Sequence, residues 1–374
     1  MINNKTIIIP LENSWYHSAD FVRQTALVLS KHNQVHIYDQ NHAYFFLKRN
    51  KEINYPKIKN VHFCQVKYYL PFRRFKWLEK LNRQLSFRLF LHQHRQQEQI
   101  LWLFYPNYLD LAKLKSSQLT TLYDCVDYQE HRQQEQQLIK QVDYFFVNSK
   151  ALQKLHQAFG HQAHYLQAQG FTQPKQKQLT KTKQTKTIIQ TAKNKKIIGY
   201  VGGLNCRLDF PLLDYLVSQH PEWQFIFYGP KQHNPSKDLI YQPQTWLKRL
   251  GQYPNVSFGQ SRKRQRVYQV MQQFDVALIP YNLDLPFNLY CYPMKVFEYL
   301  YLAKPIVSSP ILELKQPQFK NFIQLAQSKK QWEMAIERAL NTKYTQQQIA
   351  QQRQLALDNS WFNKIEQIAT IVHD

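Results

Sequence analysis

Glycine is scarce in this chain: 374 residues include only eight, where ordinary usage of roughly 7% would give about 26. The position of each glycine therefore carries information. Acidic residues are scarce too, with 25 Asp and Glu against 49 Lys and Arg, a net charge of +24. The four cysteines (Cys64, Cys125, Cys206 and Cys291) include no C-x-x-C pair. Neither a disulfide framework nor a zinc ribbon is indicated, and a reducing compartment fits. No run of about 18 apolar residues exists, so no transmembrane helix is expected. The apolar run in residues 1–13 is too short for a signal peptide and reads as a first strand. What is present is 43% hydrophobic and 14% aromatic residues, enough to bury a sizeable core and to exclude wholesale disorder. The length suggests two domains. The expectation is a soluble, intracellular chain with a polyanionic partner: nucleic acid, an anionic membrane or phosphorylated small molecules.

The first half alternates short β-branched runs with helical patterns, the signature of a parallel α/β sheet. Strands are expected over 5–10, 35–38, 61–66, 100–104, 121–123 and 144–147, with Ser149 as the N-cap of the next helix. Residues 174–196 then carry eight lysines and no acid, the composition of an exposed linker. The second half restarts the same logic, with strands over 196–201, 223–228, 255–258, 275–280 and 305–308. Pro293 is expected to open a helix reaching about residue 302. The apolar positions 361, 362, 365, 368, 369 and 372 have helical spacing. The expected organisation is a Rossmann-like domain over 1–172, a basic linker over 173–195, a second Rossmann-like domain over 196–358 and a terminal helix over 359–374.

Four glycines follow or end strands of the second half: Gly202, Gly203, Gly229 and Gly259. In open α/β sheets ligands bind outside the carboxyl ends of strands, where glycine lets backbone N–H groups approach a phosphate. Any one of these glycines is equally explained as a tight turn. Four of them at equivalent positions point to a nucleotide site, but not to the G-x-G-x-x-G fingerprint of NAD enzymes. Lys295 and Glu298 lie three apart on one helix face. A lysine in a first helical turn is unfavourable unless an anion sits nearby. A diphosphate would supply that anion, and Glu298 could accept from ribose hydroxyls. An ordinary surface pair is the alternative.

At these residues the chain resembles a family. Ile198-Gly-Tyr-Val-Gly-Gly-Leu with Arg207-Leu-Asp, Asn255-Val-Ser-Phe-Gly, Asp275-Val-Ala-Leu-Ile-Pro-Tyr, and Met294-Lys-Val-Phe-Glu-Tyr-Leu with Ala303-Lys-Pro are similar to retaining GT-B glycosyltransferases. Bacterial enzymes of surface-polysaccharide and teichuronic-acid assembly are the nearest in pattern. Tyr123-Asp-Cys-Val-Asp127, Val142-Asp-Tyr-Phe-Phe-Val-Asn-Ser149 and Ser360-Trp361 extend the resemblance over most of the chain. It implies two Rossmann-like domains facing across a cleft, with the last helix returning to the first. It also implies a nucleotide-diphosphate-sugar donor (UDP or GDP) and a glycan or lipid-linked acceptor. Glu298 matches the second glutamate of the E-x7-E motif, Gly202 and Gly203 the diphosphate turn, and Arg207 and Lys295 the diphosphate's charge partners, with Gly229 nearby. Tyr290 stands where the first glutamate of that motif would be, and Gln169-Gly170 where Asn-Gly is usual. Retention by front-face substitution is implied, the leaving phosphate taking the acceptor's proton. No D-x-D occurs, so protein cations rather than a metal would stabilise the leaving group, and no cofactor is expected. Asp124 and Asp127 are candidates to orient or deprotonate an acceptor, with capping of the next helix the alternative for Asp127. Trp15, Tyr16 and His17 are weaker acceptor-side candidates.

Residues 67–95 mix Lys67, Arg73, Arg74, Lys76, Lys80, Arg83, Arg88 and Arg95 with Trp, Phe and Leu, against the single acid Glu79. That is the make-up of an interfacial amphipathic segment, each cation contributing about 1 kcal/mol at an anionic surface. The alternative is a core helix with a basic outer face. The family resemblance favours the cytoplasmic face of a membrane. A catalytically degenerate GT-B protein and a nucleic-acid binder are the other readings. No RNA- or DNA-binding signature accompanies the charge, so no nucleic acid is expected.

Overall fold

The computed structural model describes residues 2–11, 15, 21–45, 54–70, 75–114, 116–130, 132–179, 195–231, 242–261 and 263–373. Tyr16, His17, Arg73, Arg74 and residues 180–194 of the expected linker lie outside this set. The chain divides into two compact units, one formed by 1–170 with 361–374, the other by 171–360.

Unit 1 begins with β1 (Thr6–Leu11), α1 (Phe21–Leu29), β2 (Gln34–Phe45), β3 (Val61–Tyr68), α2 (Lys76–Gln93) and β4 (Gln99–Leu103). It continues with α3 (Leu109–Ala112), β5 (Leu119–Cys125), α4 (Arg132–Ile139), β6 (Tyr144–Val147), α5 (Lys150–Gln157) and β7 (His164–Tyr165). The seven strands lie in the order β3-β2-β1-β4-β5-β6-β7, and their pairings are parallel. Every residue of β1 and β4 is buried, as expected for parallel strands covered on both faces. Ser149 caps α5 by accepting from Leu152 N–H at 3.0 Å.

Unit 2 contains α6 (Gln176–Leu179), β8 (Lys196–Val201), α7 (Phe210–Gln219), β9 (Trp223–Tyr228), α8 (Pro243–Leu250), β10 (Val256–Gly259), α9 (Arg264–Met271) and β11 (Val276–Ile279). There follow α10 (Pro286–Leu289), α11 (Lys295–Tyr301), β12 (Ile306–Ser308), β13 (Ile323–Leu325), α12 (Lys329–Asn341) and α13 (Gln346–Asp358). Its strand order is β10-β9-β8-β11-β12-β13, which is 3-2-1-4-5-6 counted within the unit. The order reverses between β8 and β11, the place where doubly wound sheets open a ligand crevice. Two expectations need correction. The segment expected to be solvated linker carries α6, whose Leu179 carbonyl accepts from Gln272 at 3.1 Å. Pro293 does not open the helix: α11 starts at Lys295, after Met294 at its N-cap.

The last helix, α14 (Trp361–His373), belongs to unit 1. Three features anchor it. Trp361 packs edge-on to Phe21 of α1 at 6.0 Å. A Cβ at Gly170 (φ +114°) would lie 2.7 Å from the Trp361 ring, so the glycine makes room for the indole. Lys364 Nζ sits 2.9 and 2.8 Å from the two oxygens of Asp124, with both side chains fully buried.

Candidate functional site

The end of β8 leads into Gly202-Gly203, and the end of β11 into Pro280-Tyr281. Backbone bonds lock the two segments together: Asp209 N–H donates to Pro280 O at 2.9 Å, and Asn282 N–H to Arg207 O at 2.9 Å. Asn288, fully buried, completes the clamp. It accepts from Arg207 Nε at 2.8 Å and donates to the Arg207 and Asn282 carbonyls at 2.9 and 2.7 Å. Arg207 is thereby aimed over the Tyr281 ring, its guanidinium carbon 4.5 Å from that centroid and 4.5 Å from that of Phe287.

Lys295 meets Arg207 on the same phenol. Its Nζ donates to Tyr281 Oη at 2.6 Å and Tyr200 Oη at 2.9 Å, and lies over both rings. Tyr200 Oη in turn donates to Gly203 O at 3.2 Å. Among the described residues Lys295 forms no ion pair. Burial, and secondarily Arg207, lowers its pKa below the usual lysine range, against the pull of Tyr281. Burial pushes the Tyr281 phenol up, but Arg207 and Lys295 outweigh it and the net shift is downward. Two cations thus share one phenol where burial penalises charge. This arrangement suits an anion with several oxygens.

The glycines separate into two kinds. A Cβ at Gly202 (φ +152°) would lie 2.6 Å from Tyr200 Oη and 2.7 Å from Lys295 Nζ, so this glycine keeps the backbone open to the cation. A Cβ at Gly229 would lie 1.8 Å from Gly202 O, and one at Gly259 would meet the Tyr228 ring at 2.6 Å. Close packing of strand ends accounts for these two. Gly229 N–H bonds Gly259 O at 2.8 Å, and Gly202 N–H bonds Tyr228 O at 3.0 Å.

Glu298 lies in the first turn of α11, three residues after Lys295, and is 8% exposed. The alternative of an ordinary pair with Lys295 is not realised: the Glu298 carboxylate is bonded to Arg264, the first residue of α9. The Glu298 charge raises the Arg264 pKa. Tyr290 ends α10, its N–H bonded to Pro286 O at 3.0 Å. Sequence reasoning passed over Tyr200, Tyr281, Asn288 and Arg264. The two tyrosines stood inside quoted strand motifs, and Arg264 lay in the basic run 262–266, which was visible but not weighed.

Unit 1 rearranges the acceptor-side candidates. The expectation that Asp124 faces an acceptor is overturned by its zero exposure and its pairing with Lys364. Asp127 is half-buried and stands too far ahead of α4 to cap it. Trp15 is buried, edge-on to Phe63 at 4.9 Å. The described residues contain one cluster of metal-type donors, buried Cys125, Glu135 and His156. Its needs are met internally, since Tyr123 Oη and Cys125 Sγ both donate to Glu135 Oε1, at 2.8 and 3.4 Å.

No family model matches the chain. A putative teichuronic acid biosynthesis glycosyltransferase, TuaH, of Bacillus subtilis is 32% identical over 113 residues, 30% of this chain. The match spans about a quarter (26%) of that relative's length. Among solved structures, sucrose-phosphate synthase from Thermosynechococcus elongatus aligns with TM-score 0.72 at 13% identity, covering 99% of this chain and 98% of that one. Anabaena HepE, solved in complex with UDP, aligns with TM-score 0.69 at 13% identity over 99% of both chains. The fold is GT-B. The resemblance stated from the motifs therefore stands at the level of fold and of a partial match to a glycosyltransferase. Among the described residues no helix is long and apolar enough to cross a membrane.

Proposed function

We propose that this GT-B chain is a glycosyltransferase that takes a sugar from a UDP- or GDP-sugar and passes it to a glycan or lipid-linked acceptor at an anionic membrane surface. The carrying observation is the pair Lys295 and Arg207 on Tyr281, beside the Gly202 turn at the β8/β11 switch point. A diphosphate entering there would replace neutral phenol oxygens with charged phosphate oxygens, giving stronger, charge-assisted bonds. As the sugar–phosphate bond breaks, the same cations stabilise the charge gathering on the leaving group. Glu298 would accept from the ribose hydroxyls, with Arg264 holding its carboxylate in place. Tyr290 stands where a carboxylate would ordinarily meet the sugar, so the sugar contact falls to other groups. No metal or cofactor is assigned to the reaction, the anomeric configuration is retained, and Asp127 is the remaining acceptor-side acid. The exposed face of α2 is the membrane contact, on the cytoplasmic side. UDP in the HepE crystal supports this class of donor.

Binding decides it. UDP, GDP and their sugars are titrated against the purified chain by thermal shift and calorimetry. At least one should raise the melting temperature through binding to the folded state, and Glu298→Ala should weaken it about tenfold, the worth of one charge-assisted hydrogen-bond set. If no nucleotide shifts the melt, the donor assignment is wrong. The Tyr290 position favours a second reading, nucleotide binding without transfer, which binding without turnover across an acceptor panel would support.

A further inference from the structure

Unit 1 holds a cavity of about 780 Å³ between the first half of α2, α3 and the start of α4. Since α3 follows β4 and α4 follows β5, it lies toward the carboxyl ends of these strands, the edge where such sheets take ligands. Its charged lining is Lys80, Arg83, Asp110, Lys113, Glu130 and Arg132. Arg83 grips both oxygens of Asp110. That leaves Lys80, Lys113 and Arg132 against Glu130. Arg132 is held in place by aromatic rings, its guanidinium carbon 4.8 Å from the Tyr128 centroid and 4.9 Å from that of Phe159. The cavity is polar and net positive.

A second feature shares the same helix. Trp77, Leu81, Leu85 and Leu89, spaced by four along α2, are 60, 44, 38 and 42% exposed. The opposite face already meets the core through Asn82, Ser86, Phe87 and Phe90, all buried. The outer row is therefore not a core face; it is an apolar stripe with exposed Lys80 and Arg88 beside it. Lys80 and Gln84, which line the cavity, sit three residues after Trp77 and Leu81, so each neighbours the apolar row.

We propose that the cavity takes the phosphate of an anionic phospholipid headgroup, while the α2 row lies in the bilayer interface beside it. The chemistry on each side matches. Lysine and arginine bind phosphate oxygens, and Trp with Leu on a cationic helix suits the headgroup–acyl boundary. The inference rests on the membrane reading above and adds to it a defined headgroup site.

The full chain is sedimented with vesicles of phosphatidylcholine alone, or of phosphatidylcholine mixed with phosphatidylglycerol. Lys80→Glu/Lys113→Glu is compared with Lys320→Glu/Lys330→Glu, which makes the same charge change at exposed positions of unit 2. The cavity variant should lose about tenfold or more of its affinity for phosphatidylglycerol vesicles, and the control little. Leu81→Ser/Leu85→Ser should lose binding to both vesicle types at an unchanged melting temperature. Equal losses in the two charge variants, no vesicle binding by the unmodified chain, or full competition by millimolar inorganic phosphate would each overturn the headgroup site. UDP binding is measured on the same preparations. Vesicle binding that fails with UDP binding intact sinks this proposal together with the membrane contact but leaves the donor assignment standing. Equal losses in the two charge variants sink the headgroup site alone. UDP binding that fails with vesicle binding intact sinks only the donor assignment.

Discussion

The two units share a parallel-sheet plan yet differ in how they hold buried charge. Unit 1 neutralises it: Asp124 and Lys364 are fully buried and face each other, tying α14 to the end of β5. Unit 2 neutralises Glu298 with Arg264 in the same way but holds Lys295 on phenols: among the described residues this lysine forms no ion pair and donates to Tyr281 and Tyr200 at the crevice of the sheet. A neutralised pair with no exposure has no opening for a ligand and reads as a fastening. A buried lysine held on phenols rather than on a carboxylate is suited to receive an anion, and that anion is the functional prediction. The partner of a buried charge, more than the amount of charge, separates scaffold from site.

The comparison breaks most visibly at the fastening. Lys364→Met should leave Asp124 buried and unpaired, costing about 3–5 kcal/mol, and adding Asp124→Asn should restore part of it. Chemical denaturation of both variants beside the unmodified chain checks this. Were Asp124 instead an acceptor-side base, Asp124→Asn would lower turnover with little change in stability.

Gly229→Ala comes next. Its Cβ would lie 1.8 Å from a backbone oxygen of Gly202, so the strand ends must shift, at about 1–3 kcal/mol. Because the shift displaces the Gly202 turn, nucleotide affinity should fall with stability. A variant with normal melting and normal UDP binding would show that the strand ends do not set the site.

The smallest effect expected is in pH dependence, and it should fall on one unit. In unit 1 burial, followed by His94 and His62, lowers His36 to about 3. Burial, followed by His161 and Arg132, lowers His156 to about 4. The unfolded histidines take up protons near 6.5, so the stability is whole above that pH and is lost as the pH falls towards 4 and 3. Glu135, raised by burial and facing His156, works the other way. In unit 2 Asp209 is raised, again mainly by burial, so acid favours its folded form. Limited proteolysis at pH 7.5 and pH 5 should show cleavage spreading first through unit 1. Equal loss in both units would remove this contrast.

Much of this was legible in the sequence, for identifiable reasons. Strands buried on both faces leave near-continuous apolar runs, so β9 over 223–228 and β6 over 144–147 were read to the residue. Two-residue β7 and three-residue β13 leave no such run and went unseen. Motif positions located Gly202, Arg207, Lys295 and Glu298, but not their partners. Spacing offered a Lys295–Glu298 pair as the alternative, while the fold gives Lys295 to Tyr200 of β8 and Tyr281 just after β11, and Glu298 to Arg264 of α9. Asp124 illustrates the same limit. Its partner is 240 residues away, and no local pattern distinguishes a buried fastening from a base at a strand end.

The most direct test of the account is UDP and GDP titration of the unmodified chain and Lys295→Met by calorimetry, with the melting temperature of each recorded. Removing a buried cation that lacks an anion should leave the empty fold as stable as before or more so. It should weaken nucleotide binding by about 10- to 100-fold, the worth of a charge-assisted contact. A large loss of stability with unchanged affinity would contradict it, making Lys295 a structural lysine and the diphosphate site something else.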